Sequence, residues 1–241
     1  MTALDPAAPQ HGCQLPHFNV RMKALVAEVQ RALAAMHRKD VPSFRLVRRD
    51  WSKQLKNSPG NSIIVLAKLL VPLGFWERIF AYEIIVHHQP ALNALTQKDI
   101  TSLGRGMKSW GEVDCFACYV AGPAWRQKNI SDRLVRSWAE SPDRWWRRAA
   151  LVSTVPLNNR ARGGQGDVAR TLRLCRMLIH DRDDMVVKAL SWALRELSKR
   201  DPLPVRLFLE PYDNELAPRV KREVANKLRT GLKNPRRVLP S

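Results

Sequence analysis

The chain is short of acid. Its 241 residues hold 22 Asp and Glu against 41 Lys and Arg, giving a formal net charge of +19 and a pI near 10.6. Such a balance favours a polyanionic partner, nucleic acid first and an anionic membrane surface second, unless it serves solubility alone. Cysteine is also scarce: Cys13, Cys115, Cys118 and Cys175 are too few for a disulfide framework. Cys115 and Cys118 form C-x-x-C, yet no second ligand pair accompanies them, and the six histidines lack a matching H-x3–5-H spacing. Zinc needs four ligands, so no metal is expected and the pair reads as small core residues, with a redox or metal role as the alternative. Long apolar runs are missing too. The longest, "SIIVLAKLLVPLGFW", is broken by Lys68 and Pro72, whereas a membrane span needs about 18–20 apolar residues. The opening stretch has no basic segment followed by an apolar one, so no secretory signal is expected and the protein reads as cytoplasmic.

Alternating strand patterns are absent as well, and what is present is helical periodicity. Candidate helices run near 20–36, 43–56, 61–71, 75–88, 96–105, 110–120, 130–140, 143–156, 167–178, 183–199, 203–210 and 216–230. Start signals support several. "SWGE" is a capping box of Ser109 with Glu112. "SPD" offers Ser141 as an N-cap with Pro142 at the first helical position, and Asp181, Asp183 and Asp184 suit the positive end of another helix. Short connections imply antiparallel helix pairs, hence an all-α solenoid of HEAT-like pairs with a concave basic face. The expected organisation is a loosely ordered lead-in over 1–19, one helical domain over 20–233 and a tail over 234–241. The loop "NNRARGGQGD" at 158–167 lacks the G-K-[S/T] ending of a phosphate-binding P-loop and reads as a flexible connection.

Tryptophan beside charge recurs in "KSWGEVD", "DRWWRRAAL" and "KALSWALRELSKR". At about 100° per residue, Val186, Leu190, Ala193 and Leu197 form the core stripe of one helix, opposite Lys188, Trp192, Arg195 and Lys199. Trp192 then faces cations, as on a nucleic-acid surface, unless a neighbouring helix pair buries it. Val113, Ala117 and Val120 make another core stripe, while Trp110 and Asp114 share a face one turn apart. Arg148 shares its face with Val152 and Val155, so its guanidinium needs a partner, either an acidic side chain or a phosphate. Arg144 and Arg147 read as solvated. In the last helix Leu216, Val220, Val224 and Leu228 face inward, and Arg219, Arg222, Asn226, Arg229 and Lys233 line a mostly basic face suited to a phosphate backbone or to solvent.

Taken in order, "KSWGEVD", "WWRRAAL", "VVKALSWALRELSKRDP" and "NELAPRVKREVANK" resemble the bacterial DNA alkylation repair glycosylases of the AlkD family. The resemblance runs from about Glu77 to Lys227 and is strongest after Lys108. It implies a HEAT-like fold that cradles duplex DNA and excises cationic alkylated purines, 3-methyladenine and 7-methylguanine among them, without flipping the base. It further implies that Trp110 and Trp192 are the cleft tryptophans, Asp114 the catalytic aspartate and Arg148 a phosphate contact. The family often has W-W where this chain has Trp110-Gly111. Lys188, Arg195, Lys199, Arg219 and Arg222 complete the expected DNA-binding set. The expected partner is double-stranded DNA carrying alkylated bases, bound by a monomer that associates with the nucleoid, with no membrane, metal or cofactor. Two rival readings use the same fold: a non-catalytic binder of branched or damaged DNA, and a protein-binding scaffold, against which the basic excess counts.

Overall fold

Residues 15–235 are described by a computed structural model, and every regular element among them is a helix. The expected tail, 234–241, extends past this span, and Cys13 lies outside it. The first helix, α1 (Leu15–Ala34), starts five residues before the expected domain boundary at 20. Then follow α2 (Val41–Gln54), α3 (Gly60–Leu70), α4 (Phe75–Val86), the short α5 (Gln89–Ala94) and α6 (Gln97–Gly104). Next come α7 (Trp110–Cys115), α8 (Gly122–Arg126), α9 (Asp132–Ala139) and α10 (Arg144–Val152). The chain continues through α11 (Val155–Asn158), α12 (Val168–Met177), α13 (Asp184–Ser198), α14 (Pro202–Leu209) and α15 (Pro218–Thr230).

These helices pack in a helical-repeat arrangement. One row runs α4, α7, α10, α13, α15, each helix against the next. A second row of α9, α12 and α14 backs it, with α9 on α10 and both α12 and α14 on α13. The row-forming faces are apolar, as the periodicity requires: Val186, Leu190, Ala193 and Leu197 of α13 are all buried, as are Val220 and Val224 of α15.

Local differences from the expected helices have local causes. The expected 110–120 helix is α7 followed by a π-helical segment, Phe116–Ala121, which leads into α8. The expected 143–156 helix stops at Val152, and α11 restarts with Pro156 near its N-terminus. The N-cap of α10 is Asp143, whose carboxylate accepts from the Trp145 backbone N–H at 2.9 Å, and not Ser141. Of its two tryptophans, Trp146 packs on Phe116 and Trp138, with centroids 5.9 and 5.2 Å away. That ring explains Gly104, where a Cβ would sit 2.4 Å from the Trp146 indole.

Candidate functional site

The start of α7 is fixed from both sides. Ser109 accepts from the Glu112 backbone N–H at 3.4 Å, and the Glu112 carboxylate accepts from the N–H groups of Ser109 and Lys108 at 3.0 and 2.6 Å. Glu112 is buried and faces Arg78 of α4 at 3.8 Å. The capping box thus anchors the turn that presents Trp110, which is 62% exposed. Gly111 lies under the ring of Phe75, since a Cβ there would stand 3.4 Å from that ring.

Trp110 forms one side of a cleft of about 300 Å³, completed by Arg148, Met185, Lys188, Trp192, Arg195 and Lys233. Trp192 is partly buried against the core while still reaching this cleft, so the two expected tryptophans do meet in one concavity. Arg148 is buried, and the acidic partner its position called for is Asp114. Its Nε and Nη2 each donate to one Asp114 carboxylate oxygen at 2.9 Å, and its Nη1 donates to the Met185 carbonyl at 2.6 Å. The guanidinium is therefore spent on internal acceptors while Asp114 keeps more solvent contact, 18% of its side chain against 7%. Burial pushes the Asp114 carboxyl above its ordinary value, and the two hydrogen bonds and the charge of Arg148 pull the other way.

Beyond this pair, carboxylates distribute the cleft's cations. Lys188 meets Asp184 at 2.6 Å, and Arg219 reaches the other oxygen of Asp184 at 3.6 Å. The hydrogen bond from Lys188 holds the Asp184 carboxyl below its ordinary value. Glu223, whose side chain is 3% exposed, accepts from the Ser191 hydroxyl at 2.6 Å and faces Lys233 at 3.4 Å. Arg195 and Arg219 stand 3.8 Å from the same carboxylate. Five cations (Arg148, Lys188, Arg195, Arg219, Lys233) thus share three carboxylates, and positive charge is left over.

Not every expected residue lines this cleft. Lys199 caps the C-terminal end of α13 and pairs with Glu196 at 2.7 Å. Arg222 is exposed on α15. Arg147, expected to be solvated, is paired with Asp181 at 2.6 Å, and Arg144 with Asp183 at 3.4 Å. Sequence reasoning missed Met185 and the organising role of Glu223. The signal for Glu223 was weak: it follows two cations in "VKREV" and imitates an ordinary surface acid. Cys115 and Cys118 carry thiols that burial pushes up to about 12, in keeping with packing residues, and no cluster with metal-ligand composition occurs among the described residues. Among those residues, too, no helix is long and apolar enough to cross a membrane.

A family model described as DNA alkylation repair enzyme matches residues 22–228, most of the chain. The protein belongs to that family. Compared with curated proteins, the chain finds no significant match. For a DNA alkylation repair enzyme, which works in DNA repair and interacts with DNA, surplus positive charge around the cleft has an evident use. The matched span contains Trp110, Asp114, Arg148, Trp192 and Glu223, whereas Lys233 comes from beyond its end.

Proposed function

We propose that the protein is a DNA glycosylase of the AlkD type. It would hydrolyse the N-glycosidic bond of cationic N-alkylated purines, of the 3-methyladenine and 7-methylguanine kind, in duplex DNA. The observation that carries this reading is Asp114: a carboxylate held in one orientation by Arg148, one helical turn from exposed Trp110, beside a cleft that Trp192 also lines.

The chemistry follows from the substrate. Alkylation at a ring nitrogen leaves the purine positively charged, so the C1′–N bond is already weakened. When it breaks, the base departs with the bonding electrons and becomes neutral, while the sugar acquires oxocarbenium character. The faces of Trp110 and Trp192 attract the cationic base or the developing sugar cation. Asp114 stabilises the sugar charge and orients the water that adds at C1′ and gives up a proton. Arg148 aims the carboxylate, and Lys188, Arg195, Arg219 and Arg222 take the phosphate contacts. The partner is duplex DNA bound by a monomer, in the cytoplasm and at the nucleoid, and no step needs a metal or an organic cofactor.

One observation favours a second reading, the non-catalytic binder of damaged or branched DNA: both Asp114 oxygens are engaged by Arg148. A single experiment separates the two. Purified protein is incubated with duplex DNA carrying N7- and N3-methylated purines, and released base is measured by chromatography. The glycosylase gives free methylated base and leaves abasic sites. Tight binding without release would leave only the binder.

A further inference from the structure

The helix that presents Trp110 and Asp114 does not continue as an α-helix. Residues Phe116–Ala121 wind as a π-helix, in which hydrogen bonds span five residues and not four. In an unbroken α-helix the next residue on the face of Trp110 and Asp114 would be Cys118. Here Cys118 is 4% exposed, and Tyr119 is partly exposed in its place. The π segment therefore leaves an aromatic ring partly exposed about one turn beyond the carboxylate. Such segments inside α-helices occur frequently at functional sites.

A guanidinium lies on that ring. The Arg162 side chain is stacked over Tyr119, 4.9 Å from the ring centroid. It is delivered by the 158–167 loop, expected from sequence to be a flexible connection and held here at several points. Arg126 Nη1 donates to the carbonyls of Pro156 and Arg162 at 2.9 and 2.7 Å. Gly163 takes the left-handed conformation, φ 78°, that ends the turn. Asn159 Nδ2 donates at 2.8 Å to Glu196, the carboxylate that also holds Lys199. The loop is thereby tied to the C-terminal end of α13.

Arg162 also differs from the cations around it. Arg148, Arg195 and Lys199 each have a carboxylate partner. Among the described residues no carboxylate stands within ion-pair distance of Arg162, although it is only partly exposed. Its charge reaches the Cys115 and Cys118 thiols, where it opposes the effect of burial, so it lies close to the segment that carries Asp114.

The geometry points to Arg162, platformed on Tyr119, as a phosphate-binding residue for duplex DNA. It marks the edge of the site opposite Trp110. From residue 110 to 119 the helix advances at most about 13 Å, taking ~1.5 Å per residue for its α-helical part and less across the π turn, the scale of a DNA groove. Lys188 and Arg219, near the N-terminal ends of α13 and α15, serve one strand. Arg162 serves the other. This inference rests on the DNA-binding reading of the cleft but not on base excision.

The test is binding of undamaged duplex DNA across a salt series, read by fluorescence anisotropy. Arg162→Ala is expected to weaken binding about fivefold and to make the dependence of log Kd on log salt shallower by about one. Arg162→Gln, nearly isosteric and uncharged, should match it and covers the case in which alanine unsettles the loop. Arg162→Lys keeps the charge and should keep the slope. Tyr119→Phe, which keeps the ring, should bind as wild type, whereas Tyr119→Leu should lose affinity. A salt slope unchanged in both Arg162→Ala and Arg162→Gln overturns the assignment, whatever happens to their melting temperatures. If wild type binds duplex with the expected slopes but releases no methylated base, excision fails and Arg162 stands. If wild type releases base while the Arg162 variants keep its slope, the reverse holds. A wild type that does not bind duplex overturns both.

Discussion

Replacing Asp114 with asparagine tests fold and chemistry at once, because the carboxylate takes part in both. In the folded protein it receives two charge-assisted hydrogen bonds at 2.9 Å from a guanidinium that is only 7% exposed. Asn offers a single acceptor oxygen, turns an N–H toward the guanidinium, and leaves the charge of Arg148 uncompensated. Breaking a buried pair in this way costs about 3–5 kcal/mol, and the partial exposure of Asp114 places the cost near the lower figure. A domain of this size loses roughly 2–4 °C of melting temperature per kcal/mol, so Asp114→Asn should melt ~6–12 °C lower and still fold. Removing the stranded charge as well, in Asp114→Asn with Arg148→Met, should recover most of that loss.

The rate should behave differently. Taking an effective dielectric of about 20, a unit positive charge ~4 Å from the carboxylate gains ~4 kcal/mol, while a guanidinium at ~8 Å takes back ~2 kcal/mol. Asp114→Asn loses the first of these and keeps the second, so base release should slow by ~4 kcal/mol, roughly a thousandfold, whereas the double variant loses both, a net ~2 kcal/mol or roughly thirtyfold. Single-turnover release from methylated duplex should therefore be slowed in Asp114→Asn and remain slow in the double variant whose stability has returned. Wild-type rates in either variant would refute the chemical role of the carboxylate. Recovery of rate together with stability would show that Asp114 acts only by holding the fold.

Other residues divide the two roles more cleanly. Trp110, 62% exposed, should cost less than ~0.5 kcal/mol as Trp110→Ala while excision falls, whereas Trp192→Ala should cost ~1–3 kcal/mol through its packing on the core, checked by thermal melts beside single-turnover assays. Gly111→Ala places a methyl in ordinary contact with the Phe75 ring and should raise stability by about 0.5–1 kcal/mol in denaturant titrations. Because the folded Asp114 carboxyl titrates above 3.8, base release should fall with acid along a limb centred above that value. Arg148→Met, which keeps the burial and removes the opposing cation, should move that limb further toward neutral pH.

How much of this was legible in the sequence depended on how local the cause was. The Ser109–Glu112 box and the buried stripes of α13 and α15 follow from spacings of three and four residues, and they appear where periodicity put them. The π segment did not announce itself, since it depends on how Phe116 packs against Tyr82, Trp138 and Trp146 of other helices; periodicity alone carried the α-helix on to residue 120. The need of Arg148 for a partner was visible from its place over an apolar stripe. Which partner it takes was not, because Asp114 lies 34 residues earlier and is brought near by the packing of α7 on α10. Glu223 was hidden for the same reason: its burial is decided by Ser191, 32 residues away on α13.

Internal pairing also bears on how the protein holds DNA. Six cations were expected to meet phosphates, and if all did so in B-DNA, log K would fall with log salt at a slope of about −5. In the structure two of the six, Arg148 and Lys199, are matched by Asp114 and Glu196. Lys188, Arg195, Arg219 and Lys233 share Asp184 and Glu223, which leaves a surplus of two charges. With Arg222 and Arg162, neither of which has an ion-pair partner among the described residues, roughly four charges remain to displace counterions, and the expected slope is between about −3 and −4. A slope of −5 or steeper would mean that DNA opens the internal pairs, freeing Asp114 from Arg148 on binding. The shallower slope keeps Arg148 on Asp114 in the complex, so the carboxylate meets the sugar already aimed, and phosphates are held by the cations that no carboxylate has claimed.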